Sequence, residues 1–284
     1  MRFIKTLSAV LVILVCPCAF CYGQLSFSGV NGEKGYAALR GQYKLDLDNG
    51  LVLTPEYGYY RRSDKEEDEA GSTSRYGLQA SYDVTDDWTA YALARWVPLS
   101  LDFQSIEYAA GVRWVPFYKK GMFKAPLLGL QAGQIRYDVY SDALDNPLEH
   151  AYSPTETFAR AEAETYARKL RLRGIYRKVI KYSSQPPSGV STNWADVPFM
   201  VAVVQGFIKE SSALQLAYPT RNITPYASWV RYKYADHRAF ATAVSAGIAL
   251  HFWDMDFSGG VEVFEPKRQA NRKTYFSMTV ESKF

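Results

Sequence analysis

Apolar and polar residues alternate along most of the chain after residue 24. Ala37, Leu39, Gly41, Tyr43, Leu45 and Leu47 share one parity, with Ala38, Arg40, Gln42, Lys44 and Asp46 on the other. A period of two is the spacing of a β-strand with one apolar and one polar face. Asp48-Asn49-Gly50 then supplies a tight hairpin signal. Leu51, Leu53, Pro55, Tyr57 and Tyr59 return opposite Thr54, Glu56, Gly58 and Tyr60. Tyr76, Leu78, Ala80, Tyr82 and Val84 repeat the pattern before a second turn at Thr85-Asp86-Asp87. Further runs occupy 88–97, 106–116, 126–137, 197–208, 222–234, 238–252, 255–264 and 274–284. The run at 197–208 is apolar on both faces. A first strand at 24–30, followed by the turn Asn31-Gly32-Glu33-Lys34, brings the expected total to 12.

Several of these runs reach ten or more residues. Soluble strands average about five or six residues, whereas a tilted membrane strand needs roughly 9–11. The joins also alternate in length. Those at 48–50, 85–87 and 117–123 are short, while 61–74, 97–105 and especially 138–196 are long. Short turns at one end and long loops at the other are expected of a membrane barrel. Parity counted from either terminus places the excursion at 138–196 with the long loops, outside the cell.

Within that excursion, Ser153, Pro154 and Glu156 have the order of a helix cap, a first-turn proline and a capping-box acid. The Ala- and Arg-rich stretch that follows predicts a helix to about residue 182. It carries Arg168, Lys169, Arg171, Arg173, Arg177, Lys178 and Lys181, with no acid among them. Three readings stand open: contact with lipopolysaccharide phosphates, an inward fold that favours anions in the pore, or a solvated charged helix.

The termini and the composition sharpen the picture. Residues 1–23 read as a secretory signal, with Arg2 and Lys5 ahead of an apolar core and Gly23 closing a small-residue cleavage site. Cleavage would remove Cys16, Cys18 and Cys21, and with them any disulfide, thiolate metal site or cysteine nucleophile. It would also leave 31 basic residues of the original 33 against 29 acidic ones, a balance that does not point to nucleic acid. No later apolar run is long enough for a spanning helix, so a place in a membrane requires strands.

A signal peptide, alternating strands of about ten residues and a terminal phenylalanine together resemble bacterial outer-membrane β-barrel proteins. The expected fold is all-β: a transmembrane antiparallel up-and-down barrel of 12 strands with a helical basic insertion in an extracellular loop. The resemblance implies residence in the bacterial outer membrane, with lipid, lipopolysaccharide and the barrel-assembly machinery as partners. In that class, alternating apolar residues and a final aromatic in the last strand act as the assembly signal. Phe276, Met278, Val280 and Phe284 match it, and Ser282 departs from it.

The polar parity assigns Arg40, Gln42, Lys44, Glu56, Asp83, Arg95, Glu107, Arg113, Gln131 and Glu262 to the interior. They either line a lumen that passes small solutes or plug it with ion pairs, and their mixed signs argue against strong ion selectivity by the wall. The function expected is a narrow porin-like channel. The alternative is a structural barrel that displays its loops, and a barrel enzyme is more remote. His150, His237 and His251 are the histidines available to an enzyme; Asp236 precedes His237, but no nucleophile motif accompanies them. The acidic run 64–69 lacks the glycine and ligand spacing of a calcium loop, so no metal or cofactor is expected.

Overall fold

The computed structural model describes residues 23–283 apart from 48, 63–70, 101–102, 117–125, 140–152, 187–193, 196, 202–203, 236–239 and 266–271. β1 (Gly23–Gly32) and β2 (Ala37–Asp46) are joined across a single 3-10 turn, Glu33–Gly35. β3 (Leu51–Arg62), β4 (Gly71–Asp83), β5 (Trp88–Ser100), β6 (Phe103–Trp114) and β7 (Leu127–Val139) continue the meander. β8 (Thr155–Ala167) and β9 (Leu170–Tyr182) form the next hairpin. A separate short pair follows, β10 (Trp194–Ala195) and β11 (Val204–Gln205). β12 (Ile208–Ala217), β13 (Ile223–Tyr234), β14 (Ala241–Phe252), β15 (Met255–Glu265) and β16 (Lys273–Lys283) complete the wall.

Every strand except β10 and β11 belongs to one closed antiparallel barrel of 14 strands. β9 pairs directly with β12. β16 returns to β1, with Phe27 opposite Val280, so the last strand closes the barrel and leaves no open edge.

Two expectations are corrected. The barrel has 14 strands rather than 12, and the basic helix does not exist: 155–182 is the hairpin β8–β9. Ala, Glu and Arg are good helix formers, which made the stretch read as helix. Its parity is nevertheless that of a strand. Glu156, Phe158 and Glu162 are buried on one face, while Ala161, Ala163 and Thr165 are exposed on the other. Pairing with β7 and β12 overrides the local preference, as tertiary context does for strands. One extra hairpin adds two strands, so both termini keep their side.

A third expectation is corrected at 197–208. The barrel strand in this region is Ile208–Ala217, and residues 197–201 form no strand. Val197 and Met200 instead pack among buried side chains that point inward from the wall, including Tyr60, Ile175, Ala213, Val230 and Tyr232. A segment surrounded on all sides by the barrel interior has no polar face to present, which explains its apolar run.

The exterior carries the other parity. Leu78, Leu130, Val244, Ile248, Phe276 and Met278 are all exposed, and Met278 keeps 65% of its surface. At the short-turn end Trp88 stacks on Trp114 with ring centroids 5.9 Å apart, while Phe252 and Trp253 also stand exposed there. An apolar band edged by aromatics is the surface a barrel offers to hydrocarbon and its interface.

Candidate functional site in the barrel interior

A row of inward positions crosses β3 to β6 in register: Glu56 faces Gly77, Gly77 faces Arg95, and Arg95 faces Glu107. Arg95 bridges both acids. It donates to Glu56 and, more loosely, reaches Glu107 Oε2 at 3.5 Å. Gly77 makes the longer reach possible, because a Cβ there would collide with the Glu56 side chain lying across it.

A second network crosses β7 to β9. Arg173 Nε donates to Glu162 at 2.7 Å, and Arg160 reaches the other oxygen of Glu162 at 3.5 Å. Glu156, almost wholly buried, pairs with Arg177 and accepts the Tyr137 hydroxyl at 2.9 Å. Arg177 also lies over the Phe158 ring, 4.4 Å from its centroid. Buried carboxylates persist because each is paired and hydrogen-bonded.

The interior assignments made from parity can now be located. Arg40, Arg95, Glu107 and Gln131 border one chamber, with Glu56 held at its edge by Arg95. Arg113 lies over the Tyr91 ring at 4.9 Å. Glu262 is fully buried and accepts the Val201 N–H at 2.7 Å. Gln42 stands opposite Glu56 in the ladder, and Lys44 opposite Gln24. Asp83 is at the exposed short-turn rim, where it accepts the Thr89 hydroxyl at 2.6 Å.

The seven basic residues do not form one cationic surface. Arg168, with φ 58°, and Lys169 form the β8–β9 turn. Arg171, Arg173 and Arg177 share the inward parity of β9, whereas Lys178 and Lys181 are exposed on the opposite one. Of the terminal-strand positions, Phe276 and Met278 are exposed on the outer face and Val280 pairs with Phe27 and Phe257. Phe284, His150, Asp236, His237 and the acidic run 64–69 lie outside the described residues.

Residues 197–201 run through the barrel and divide its interior. The Phe199 carbonyl accepts the Ser228 hydroxyl at 3.3 Å, and the Val201 carbonyl accepts Arg40 Nη2 at 3.4 Å. Phe199 takes a left-handed φ of 62° and is covered by the Arg173 guanidinium at 5.4 Å. That backbone conformation disfavours a side chain, so the surrounding contacts hold it in place. On one side of the segment is a chamber of about 300 Å3 against the β4–β9 wall. On the other is a chamber of about 670 Å3 that reaches the short-turn end at Pro219, Thr220 and Arg221. Arg40, Phe199 and Met200 border both chambers and form the partition between them.

One arrangement escaped the sequence reading. The Thr224 hydroxyl lies 2.9 Å from His251 Nε2, and His251 Nδ1 lies 2.7 Å from Asp256 Oδ1. The three residues come from β13, β14 and β15 and border the larger chamber through Thr224 and His251. Only the direct cross-strand register of His251 and Asp256 places them together, and no local motif signals it.

No protein-family model matches the sequence, and no curated protein does. Solved structures do. A Pseudomonas aeruginosa FadL homologue aligns over 92% of this chain and 89% of its own, at 10% identity and a TM-score of 0.53. CymD, a monoaromatic hydrocarbon channel, aligns over 96% of this chain and 92% of its own, at 10% identity and 0.51. CdiB from Acinetobacter baumannii aligns over 93% of this chain and 60% of its own, at 7% identity and 0.53. At such identities the likeness is one of fold: this chain shares the closed antiparallel barrel of bacterial outer-membrane proteins.

Proposed function

We propose that the protein is an outer-membrane channel for small solutes, with a conduction path that follows the polar interior and narrows at residues 197–201. The observation that carries this reading is the pair of chambers on either side of one inward segment, inside a wall whose outer face is apolar. Fourteen strands lie between barrels filled by their own side chains, at eight, and open aqueous channels, at sixteen. CymD, which has the same fold, is a monoaromatic hydrocarbon channel, and this supports transport in general. Outer-membrane lipid and lipopolysaccharide would surround such a barrel, and Phe276, Met278, Val280 and Phe284 would present its signal to the assembly machinery. Purified protein added to a planar lipid bilayer should give discrete conductance steps. A folded barrel that inserts but never conducts would leave the loop-displaying structural role in its place.

A second reading, ester hydrolysis, has the Thr224–His251–Asp256 line in its favour. The Thr224 oxygen would attack the acyl carbon, its proton would pass to His251 Nε2 and then to the departing alcohol, and water would release the acid. Turnover of p-nitrophenyl acetate that disappears in Thr224→Ala would establish it. Equal turnover by the variant and the parent would remove it.

A further inference from the structure

We infer that the larger chamber is a binding site for a neutral carbohydrate about the size of a disaccharide. This rests on the channel reading and adds to it the class of solute.

The wall of this chamber carries hydroxyls in register. Ser28, Thr279 and Ser258 face one another across β1, β16 and β15, and the same row runs on through Ala249 to Thr224. All of them border the chamber, and Gln215 joins them from β12. Among the described residues, no side-chain hydrogen bond engages Ser28, Gln215, Ser258 or Thr279. A hydroxyl offers one donor and two acceptor positions, and an amide offers both kinds. Such a wall complements a solute that donates and accepts at neighbouring positions, as the hydroxyls of a sugar do. Among the described residues no carboxylate borders the chamber, so nothing there favours a cation. The arginines are engaged or peripheral: Arg40 donates to the Val201 carbonyl, Arg171 donates to the Tyr166 hydroxyl, and Arg221 stands exposed at the rim. Recognition therefore falls to the uncharged groups.

Tyr226 supplies the apolar surface that a sugar ring needs. It faces Gly247, and Gly247 faces Gly260. A Cβ at Gly247 would collide with the Tyr226 ring, and one at Gly260 would come within 2.7 Å of its hydroxyl. The two glycines thus leave a bed along the wall for this ring, which borders the chamber with an apolar body and a polar tip. The C–H face of a pyranose packs on a flat aromatic surface of this kind. The Tyr226–Gly247–Gly260 row lies two residues along the strands from the Thr224–Ala249–Ser258–Thr279–Ser28 row, a separation of roughly 7 Å. One solute can therefore rest on the ring and reach the hydroxyls together. A volume of about 670 Å3 lies well within the range of small-molecule sites and accommodates a disaccharide.

Calorimetric titration tests the assignment, with the barrel solubilised in a detergent that has no sugar headgroup. The probes are maltose, lactose and cellobiose, with benzyl alcohol and glucuronate for comparison. At least one disaccharide should bind saturably and roughly tenfold more tightly than either comparison compound. Its affinity should fall roughly tenfold in Tyr226→Ala and stay within about threefold of the parent in Tyr226→Phe, which keeps the ring. Ser258→Ala/Thr279→Val, which removes two hydroxyls, should also lower it roughly tenfold. Val244→Ala, on the outer face of β14, should bind as the parent does. If the double variant loses its folded gel mobility, Ser258→Ala and Thr279→Val singly carry the comparison. The site is overturned if no disaccharide binds, if Tyr226→Ala binds like the parent, or if glucuronate or benzyl alcohol binds as tightly. Bilayer conductance separates the two claims. A barrel that conducts but binds no disaccharide keeps the channel and loses the site, whereas disaccharide binding without conductance keeps the site and removes the channel.

Discussion

Glu262 shows how a single side chain can govern the interior. Its carboxylate is fully buried and accepts the backbone N–H of Val201, which ties the inward segment to β15. A hydrogen bond to a charged group contributes about 1.5–3 kcal/mol. Glu262→Ala should therefore raise the population of barrels with a released segment by roughly ten- to a hundred-fold, from the same range of energies. Single-channel recordings check this: larger or longer openings are expected, with the β-sheet signal of the barrel unchanged. Arg177 illustrates the opposite case, a charge that the fold cannot lose. Arg177→Met leaves Glu156 buried without its cation and should cost about 3–5 kcal/mol in denaturant unfolding. Arg177→Met/Glu156→Leu should recover most of that loss, because it removes the stranded charge as well.

At the scale of elements, the β8–β9 hairpin gives a test whose sign separates strand from helix. Arg168 occupies the turn with φ 58°, a conformation that costs an L-residue roughly 1–2 kcal/mol. Arg168→Gly should accordingly be neutral or stabilising, by up to about 1 kcal/mol in the urea midpoint. In a helix interior the same change would cost about 1 kcal/mol. The terminal strand has its own test. β16 pairs with both β15 and β1, so the finished ladder is held along its whole length. Deleting Phe284 should lower the yield of folded protein in cells and leave refolding in detergent nearly unchanged, if its role is recognition during assembly.

For the whole molecule, the outer apolar band and the fully paired ladder predict behaviour in detergent. The protein should show β-type circular dichroism and migrate differently on gels before and after boiling, because a closed sheet resists detergent until heated. A protein that stays monomeric and soluble without detergent would contradict the placement in a membrane. The proposed channel depends on that closed wall, since only closure turns inward side chains from distant strands into a shared interior.

The sequence alone determined which face of most strands is apolar and where the turns at Asn49-Gly50 and Thr85-Asp86-Asp87 fall. These follow from local physics: side chains alternate with a period of two, and Asn49-Gly50 supplies turn conformations that few residues adopt. Interior residues such as Arg40, Arg95 and Glu262 were legible on the same ground. Their partners were not, because Glu56 meets Arg95, and Val201 meets Glu262, only between residues far apart in the chain. The β8–β9 hairpin was misread because the outward positions of β8 are alanine and threonine, too weakly apolar to mark the alternation against a strong helix preference. The line from Thr224 through His251 to Asp256 required three neighbouring strands in register. Residues 197–201 look like any apolar strand until the barrel closes around them. Only tertiary structure could decide that, because the surroundings that bury both their faces come from the opposite ends of the chain.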